Sequence, residues 1–366
     1  MRVILDNIIF SLQRSGGGSV YWTELTKRFN DSAEEVLFID QQINVNNFFR
    51  TSVSLKPLKL ETRWPLKIRR YLPFTEKIEA KTIFHSSFYR YSTSTNAINV
   101  TTVHDFTTEL YRKGLAKWVH FYQKKMALKH SHGIICISNN TKKDLLNFHP
   151  WINEEKIKVI YNGVSNDFFK INERENDWSK QSEFGHLFGK KLVLFVGHRT
   201  AYKNFDKAVE AFSRLQDCEY HFLIIGEKLS NEEERNISKL IDEDQYTVLT
   251  GLNNQKLNII YNFSYVLLYP SSYEGFGIPV IEAMKTGLPV IAAKKSSIPE
   301  IAGDAGILLE DVSPQNIYSA LMDLENKAYR DHLINKGYLQ AEKFNWDKTY
   351  SEYLDFYKKL YYGTKD

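Results

Sequence analysis

The sequence has little cysteine, no long apolar run and little negative charge in its first half. Two of its 366 residues are cysteine, Cys136 and Cys218, which provide neither a disulfide framework nor a metal-binding spacing. A reducing cytoplasm is the compartment that this usage favours. No apolar run reaches the roughly 18 to 20 residues needed to cross a bilayer. The N-terminal MRVILDNIIF lacks a small-residue cleavage site, so it is predicted to be a strand rather than a signal peptide.

Acidic residues are scarce in residues 1–165, which hold 14 Asp and Glu against 24 Lys and Arg. Residues 166–366 hold 30 Asp and Glu against 24 Lys and Arg. The densest basic stretch is 56–90, where Trp64 and Tyr71 lie among the charges. This mixture is typical of a surface that touches anionic lipid or an anionic substrate, although it also fits a solvated face. No nucleic-acid-binding motif accompanies the charge, which argues against nucleic acid as a partner.

Short apolar runs alternate with helical stretches along the chain, which predicts parallel sheets covered by helices. A chain of this length is too long for one core, so we predict two Rossmann-like, doubly wound α/β domains. The expected division is an N-terminal domain over 1–165, a polar linker over 166–190 and a C-terminal domain over 191–345. A final helix over 346–366 is expected to pack back on the N-terminal domain. Such sheets bind ligands at the carboxyl ends of their strands, so two of them are expected to face a cleft.

The stretch SYEGFGIPVIE, residues 272–282, places a carboxylate on each side of a glycine turn. Gly275 and Gly277 let the backbone turn sharply after an apolar strand, and the start of the following predicted helix favours an anion. Carboxylates accept hydrogen bonds from hydroxyl groups, so Glu274 and Glu282 suit a ligand with phosphates between two polyols. A sugar nucleotide has this form. The alternative is an ordinary strand–loop–helix junction with an exposed Glu on each side.

A second anion site is predicted in GHRTAYKN, residues 197–204, which follows an apolar strand. Arg199 and Lys203 lie four residues apart, and Asn204 is expected to cap the next helix. Two cations across this turn would neutralise a diphosphate. Two surface cations near a helix start are also common without any ligand.

Two features of the N-terminal half point to the same kind of ligand. The glycines at 16–18 put a phosphate-friendly helix start after the first strand, although they match neither GxGxxG nor the P-loop and also describe an irregular loop. His104 and Asp105 end an apolar run, where they could orient an acceptor or a leaving phosphate. His85, at the end of the preceding strand, is a candidate of the same kind. A lone histidine at such a position is also often structural.

Together these motifs resemble the retaining GT-B glycosyltransferases of glycosyltransferase family 4. The motifs are GHRTAYKN, YEGFGIPVIEAMKTGLPVIA, the VHD strand end, VIYNGV at 159–164 and the early GGG loop. They extend over nearly the whole chain and are strongest from 190 to 310. The resemblance implies an acceptor-side N-terminal domain, a nucleotide-sugar-binding C-terminal domain, retention of the anomeric configuration, and no metal or other cofactor.

The resemblance also implies roles for individual residues. Glu274 would hold hydroxyls of the donor sugar, His104 would sit beside the transferred sugar, and Glu282 would hold the ribose. The residues expected at the donor phosphates are Gly17, Arg199, Lys203, Gly275, Phe276 and Gly277. Those expected near the base are Gly251 and Leu252, and those on the acceptor side are Gly16, His85 and Asp105.

The YKN form of the phosphate loop and the run IFHSSFYR at 83–90 are most similar to the mannosyltransferase-like branch that builds bacterial surface polysaccharides such as lipopolysaccharide. That similarity implies GDP-mannose as the donor and a glycan or lipid-linked saccharide as the acceptor. The expected location is the cytoplasm, with a peripheral position on the inner face of the plasma membrane as a further expectation. Two alternatives are a sugar-nucleotide epimerase of the same architecture and a non-catalytic nucleotide-sugar-binding protein. One Asp-x-Asp match to a metal clamp, at 242–244, is interpreted as a solvated helix end.

Overall fold

The computed structural model describes residues 1–14, 16–42, 45–172, 187, 189–215 and 219–363. They form two compact units, unit 1 with residues 1–163 and 346–366, and unit 2 with residues 164–345. Residues 166–172 of the segment predicted as a linker belong to unit 2. Residues 173–186 and 188 of that segment, like Cys218, lie outside the described residues.

Unit 1 is built on a seven-stranded sheet in the order β3-β2-β1-β4-β5-β6-β7, with every neighbouring pair parallel. Its strands are β1 Arg2–Asp6, β2 Glu35–Asp40, β3 Leu58–Leu60, β4 Thr82–Ser86, β5 Ala97–Val103, β6 Gly133–Cys136 and β7 Ile157–Val159. Its helices are α1 Ile9–Leu12, α2 Gly17–Asn30, α3 Phe48–Thr51, α4 Leu66–Arg69, α5 Thr107–Tyr111, α6 Leu115–His130, α7 Asn139–Phe148 and α15 Trp346–Tyr362. Strands β4, β5 and β6 are buried along their whole length, as parallel strands covered by helices must be.

Unit 2 is built on a six-stranded parallel sheet in the order β10-β9-β8-β11-β12-β13. Its strands are β8 Lys191–Val196, β9 Tyr220–Ile225, β10 Tyr246–Leu249, β11 Val266–Tyr269, β12 Val290–Ala293 and β13 Ile307–Leu309. Its helices are α8 Phe205–Phe212, α9 Asn231–Ile237, α10 Asn254–Phe263, α11 Ile278–Thr286, α12 Ile298–Ala302, α13 Pro314–Asp323 and α14 Lys327–Ala341. Both sheets have the doubly wound order, in which the strand order reverses next to the first strand of the unit.

The last helix, α15, completes the core of unit 1. Tyr353 and Tyr357 are fully buried there, and the ring of Tyr357 stacks on Phe29 with centroids 5.4 Å apart. Phe356 and Leu360 lie over Gly133, where an added Cβ would come within 2.6–2.9 Å of their side chains. Glycine at the start of β6 is therefore what allows α15 to approach the sheet this closely.

Two of the basic residues in the stretch 56–90 are not on the surface. Arg90 is 2% exposed and pairs with Asp6 at 2.8 Å and Glu61 at 2.9 Å. Arg69 is 5% exposed and donates to the backbone oxygen of Gln41 at 2.7 Å. The basic surface that the sequence predicts in this stretch is thus made by its other cations. Among the described residues, no helix is both long enough and apolar enough to span a membrane.

Replacing Tyr357 by phenylalanine should destabilise unit 1. The Tyr357 hydroxyl is hydrogen-bonded to Nδ1 of His85, which is fully buried. The variant leaves that nitrogen without a partner, at a cost of about 1–3 kcal/mol. Thermal unfolding should show a Tm several degrees lower, whereas Tyr362→Phe, at a tyrosine that is 64% exposed, should leave the Tm unchanged. Equal Tm values for the two variants would contradict a stabilising hydrogen bond between Tyr357 and His85.

Candidate functional site

The two predicted anion-binding loops of unit 2 lie side by side. Residues 197–204 follow β8 and residues 270–277 follow β11, and these strands are neighbours at the point where the strand order reverses. The backbone N–H of Ser272 donates to the oxygen of Tyr202 at 2.7 Å. The Asn204 side chain donates to the backbone oxygen of Pro270 at 2.8 Å and to Oγ of Ser272 at 2.7 Å. The loops therefore form one structure at the position where doubly wound sheets bind ligands.

Asn204 corrects one expectation. It occupies the N-cap position of α8, but its side chain makes no capping hydrogen bond to that helix. Its backbone is left-handed, with φ 53° and ψ 39°, a conformation that asparagine tolerates better than most residues. The predicted helix cap is wrong because the amide instead ties the β8 loop to the β11 loop.

Lys203 and Glu274 form an ion pair across these loops. Their side chains are only 12% and 14% exposed, and Nζ of Lys203 also lies 3.2 Å from the hydroxyl of Tyr269. Burial, reinforced by the Glu274 carboxylate, raises the pKa of Tyr269 well above its ordinary value, so this hydroxyl stays protonated. The two residues that the resemblance assigns to different parts of a ligand are thus each other's partner in this structure.

The glycine turn before α11 is held by the serines that precede α12. Oγ of Ser297 lies 2.9 Å from the backbone oxygens of both Glu274 and Phe276, which share its one O–H donor. Gly277 has a left-handed φ of 101°, and an added Cβ there would lie 2.6 Å from Cδ1 of Ile298. Only glycine fits at this position, and its small size allows the start of α11 to lie close to the loop.

Phe276 is in the core, whereas Gly275 beside it is partly exposed. The Phe276 side chain is 3% exposed and packs edge-on against Phe344, with centroids 5.8 Å apart. A role of Phe276 at a phosphate could therefore come only from its backbone. Gly275 lies within the β11 loop, two residues before Gly277, the N-cap residue of α11.

Glu282 lies one turn into α11, as the sequence predicts, and is partly buried. Its Oε2 accepts a hydrogen bond from the Tyr261 hydroxyl at 3.0 Å. Burial raises the pKa of Glu282 to about 7, against the lowering effect of that hydrogen bond. A carboxyl group that titrates near neutrality at a site is a candidate for ligand binding.

Arg199 faces a different carboxylate from Lys203. Its side chain is 5% exposed, Nε donates to Glu233 at 2.7 Å, and Nη2 donates to the oxygen of Lys228 at 2.8 Å. Its buried Nη1 has no hydrogen-bond partner among the described residues. Glu233 of α9 and the backbone of Lys228, in the loop before α9, hold the other two nitrogens of the guanidinium, which leaves the two N–H bonds of the buried Nη1 unpaired in the part of the chain that the structure describes.

Gly251 and Leu252, expected near a base, lie in the loop between β10 and α10. Gly251 has a left-handed φ of 66° and is exposed. This loop is at the carboxyl end of the edge strand of the unit 2 sheet.

In unit 1, the predicted phosphate-binding helix start is the start of α2. Gly16 has a φ of 146° and precedes α2, and Gly17 is its first residue. Among the described residues, apart from its chain neighbours and the backbone of its own helix, no atom lies within 4 Å of the position that a Cβ of Gly17 would take. A ligand could approach the backbone here, as the resemblance implies for Gly17.

His104 follows β5 and rests against the ring of Tyr21, with centroids 4.7 Å apart and an interplanar angle of 83°. Burial lowers the pKa of His104 to about 4, with nearby Lys124 adding to the shift and Asp105 opposing it. The imidazole is therefore neutral at physiological pH. The Asp105 carboxylate accepts from the N–H of Thr107 at 2.9 Å, so it also shapes the turn into α5.

His85, a predicted acceptor-side residue, lies in the core of unit 1. It is fully buried, and besides Tyr357 its ring nitrogen Nε2 hydrogen-bonds Oγ1 of Thr102 at 3.0 Å. Burial lowers the pKa of His85 to about 3. Both ring nitrogens are used within the core, which corrects the interpretation of this strand end: His85 is structural.

The Asp-x-Asp match forms part of an exposed 3₁₀ turn, Glu243–Gln245, with Asp242 in a capping box. Across the described ranges, no three His, Cys, Asp or Glu side chains gather as metal ligands would.

Sequence reasoning missed the two tyrosines that contact the site carboxylates and cations, Tyr261 and Tyr269. Tyr269 is the last residue of a buried strand and Tyr261 lies on the inner side of α10. The sequence feature that could have indicated Tyr269 is its polar hydroxyl at the end of an apolar strand. Nothing local distinguishes Tyr261 from a core tyrosine.

Two family models match the chain. Residues 15–168 match the model described as Glycosyltransferase Family 4, and residues 176–340 match the model described as Glycosyl transferases group 1. Together with the two doubly wound units and the site at the strand-order reversal, these matches define a GT-B glycosyltransferase. The chain therefore combines a Glycosyltransferase Family 4 domain with a Glycosyl transferases group 1 domain, in agreement with the family that its motifs predict.

Curated relatives include two mannosyltransferases of O-antigen synthesis. The O-antigen chain mannosyltransferase RfbU of Salmonella typhimurium is 29% identical over 187 residues, 50% of this chain and 48% of that protein. The O-antigen chain mannosyltransferase B of Escherichia coli is 29% identical over 175 residues, 46% of each chain. The matched stretches thus span about half the length of these relatives.

Among solved structures, HepE of Anabaena in complex with UDP and glucose is similar in fold. It has a TM-score of 0.75 and 15% identity, covering 98% of this chain and all of that one. A likeness at this identity confirms the predicted fold class.

Glu282→Gln should make unit 2 more resistant to unfolding at neutral pH. The folded-state pKa of about 7 exceeds the ordinary value of 4.5, so between these values the folded protein binds more protons than the unfolded chain. Stability is then lost as pH rises from about 4.5 to 7, and glutamine removes that loss.

We therefore expect the Tm of Glu282→Gln to equal the wild-type Tm near pH 4.5 and to exceed it by a few degrees near pH 8. Glu342→Gln, at an exposed carboxylate in the same unit, should show no such divergence. A difference in Tm that does not change with pH would refute the raised pKa.

Proposed function

We propose that the protein transfers mannose from GDP-mannose to a glycan or lipid-linked saccharide in the synthesis of a bacterial surface polysaccharide. Transfer retains the anomeric configuration and uses no metal. The reaction takes place in the cytoplasm, with the enzyme bound peripherally to the inner face of the plasma membrane. The observation that carries this proposal is the Lys203–Glu274 ion pair between the β8 and β11 loops, with Glu282 one turn along α11.

This ion pair suits a ligand whose diphosphate and sugar lie next to each other. An arriving diphosphate competes for the Lys203 ammonium, and the hydroxyls of a hexose replace that ammonium at the Glu274 carboxylate. Both charges then keep a partner in a site that is largely shielded from water, where an unpaired charge would be costly. A neutral ligand could satisfy only Glu274, and a bare phosphate only Lys203.

The roles in the reaction follow from the same contacts. As the bond from the sugar to the diphosphate breaks, negative charge grows on the leaving group. Lys203 and the free N–H of Arg199 stabilise that charge. His104 is neutral, so it orients hydroxyl groups by hydrogen bonding and does not serve as an acid. The acceptor attacks the face that the leaving phosphate vacates, and that phosphate takes the acceptor proton.

The mannose assignment is supported by the named functions of RfbU and mannosyltransferase B. HepE, solved with UDP and glucose, makes UDP-glucose the rival donor to test. A sugar-nucleotide epimerase would convert the donor when no acceptor is present, and a non-catalytic binding protein would convert nothing.

The donor test uses purified protein with GDP-mannose, GDP-fucose, UDP-glucose and UDP-N-acetylglucosamine, each with and without a panel of reducing-end-tagged oligosaccharides. We expect mannosyl transfer from GDP-mannose with the α configuration kept, and undiminished turnover in EDTA. NMR of the product anomer and mass spectrometry report the outcome. A β-linked product, an epimerised donor or turnover that returns only with manganese would each overturn a part of the proposal.

Replacing each glutamate by glutamine should separate their roles. Glu282→Gln should weaken GDP and GDP-mannose alike, because both carry the ribose. Glu274→Gln should leave GDP affinity unchanged or higher, because Lys203 loses its competing carboxylate, while transfer falls. The loss of about 1–3 kcal/mol for a charged hydrogen bond corresponds to roughly 5- to 150-fold in each case.

Calorimetry with GDP and steady-state kinetics on both variants measure these effects, with Glu342→Gln as the control for removing one carboxylate of unit 2. Equal loss of GDP affinity in the Glu274 and Glu282 variants would refute the division of roles.

A further inference from the structure

Helix α6 carries an apolar stripe on its exposed side. Leu115, Trp118, Val119 and Tyr122 follow the i, i+3, i+4, i+7 spacing of one helix face, and they are 79%, 64%, 39% and 64% exposed. In a helix of a globular protein this stripe normally faces the core. Four large apolar side chains in one row on the surface indicate a surface that another body covers.

The buried side of α6 holds two polar residues beside the apolar Ala127 and Leu128. Lys124 is fully buried, and its Nζ donates to Glu109 at 2.8 Å and to the backbone oxygen of Asp105 at 2.9 Å. The neighbouring Gln123 donates to the backbone oxygen of Tyr89 at 3.2 Å. Turning the apolar stripe inward would break this buried ion pair, which is strongly destabilising. The outward direction of the stripe is therefore built into the fold.

A cavity of about 540 Å³ opens beside the stripe, between α6 and the turn that follows α4. Its walls are mainly apolar and aromatic, and they include Tyr71, Leu72, Tyr89, Trp118, Tyr122 and Met126. This volume is in the range of pockets that hold small apolar ligands or chain segments. Trp118 and Tyr122 belong to both the stripe and the cavity, so the two form one surface, the α6 face.

The charge around the α6 face is positive. In residues 66–72 and 109–129, which hold α4, the turn after it and most of α6, the one acidic residue is Glu109, and it is only 3% exposed. The exposed cations of these two segments include Lys67, Arg112, Lys113, Lys125 and Lys129. The partner of the α6 face is thus expected to be anionic as well as apolar.

We propose that the α6 face docks on an anionic phospholipid bilayer. Leu115 and Val119 enter the apolar boundary, and Trp118 and Tyr122 lie at the headgroup level, where aromatic residues with a polar tip concentrate. The surrounding lysines and arginines contact the phosphates, and the cavity receives a hydrocarbon chain. A glycan would not need the aliphatic residues, and an acidic protein would not need so wide a band of cations.

The position of the face also fits a lipid-linked acceptor. Lys124 joins α6 to the backbone of Asp105, next to His104, so the docking surface and the predicted acceptor side share one rigid support. This link to the acceptor rests on the proposed function. The docking itself deepens the peripheral membrane position of the proposed function, but it does not depend on the transfer reaction, because it requires neither donor nor acceptor.

The test is co-sedimentation of the full chain with vesicles of phosphatidylglycerol mixed with phosphatidylcholine, compared with vesicles of phosphatidylcholine alone. We expect binding to the anionic vesicles that weakens with salt. The double variant Leu115→Ser, Tyr122→Ser should lower the vesicle partition coefficient about tenfold or more. The matched control Tyr329→Ser, Leu339→Ser removes the same two residue types from α14 of unit 2, where they are 39% and 64% exposed, and should bind as wild type does.

A second measurement locates the contact. Phosphatidylglycerol brominated on its acyl chains should quench tryptophan fluorescence, and Trp118→Phe should lose a large part of that quenching. Trp151→Phe, at a tryptophan that is 48% exposed in the same unit, should keep it. Equal binding to neutral vesicles, equal behaviour of the two double variants, or gel filtration showing a dimer with no vesicle binding would each overturn the proposal. Vesicle binding without any glycosyl transfer would refute the proposed transfer reaction and leave the docking intact.

Discussion

The adjacency of strands β8 and β11 is the constraint on which the site in unit 2 depends. Parallel strands release their chains at the same edge of a sheet, so neighbours at a strand-order reversal send their following loops to opposite sides of one crevice. Here the loops stay together because Asn204 and Ser272 hydrogen-bond across them. Lys203 and Glu274, 71 residues apart in the chain, meet as a consequence.

Each charged group of this site already has a protein partner. Lys203 pairs with Glu274, Arg199 with Glu233, and Glu282 accepts from Tyr261. Ligand binding at such a site is an exchange of partners, and its free energy is the difference between two sets of charged hydrogen bonds. A ligand that matches only one member of a pair leaves the other charge shielded and unpaired, which favours ligands that carry an anion and hydroxyl groups together.

His85 and His104 lie at the ends of neighbouring strands but differ in burial, and the cause of that difference lies in another element. The hydroxyls of Tyr353 and Tyr357, from α15, reach into unit 1 and join Thr102 and His85 in one buried network. Both ring nitrogens of His85 are hydrogen-bonded within that network. His104 lies one residue beyond the end of β5, where it contacts the ring edge of Tyr21 and stays partly exposed. Helix α15 therefore determines which of the two histidines is held within the core.

The sequence by itself determined the fold class, the family resemblance and the positions of the two loops of the candidate site. Alternating apolar and helical periodicity requires parallel sheets, and turns such as the one at Gly277 require glycine whatever their surroundings, so local chemistry was enough. It did not determine which side chains are paired, since the partners Lys203 and Glu274, or Arg199 and Glu233, are joined only by strand order and loop packing. It also could not show that His85 is buried by α15 or that α6 turns its apolar stripe outward. Burial is a property of the neighbours that tertiary structure brings to a residue, and periodicity marks an apolar face without telling which way it points.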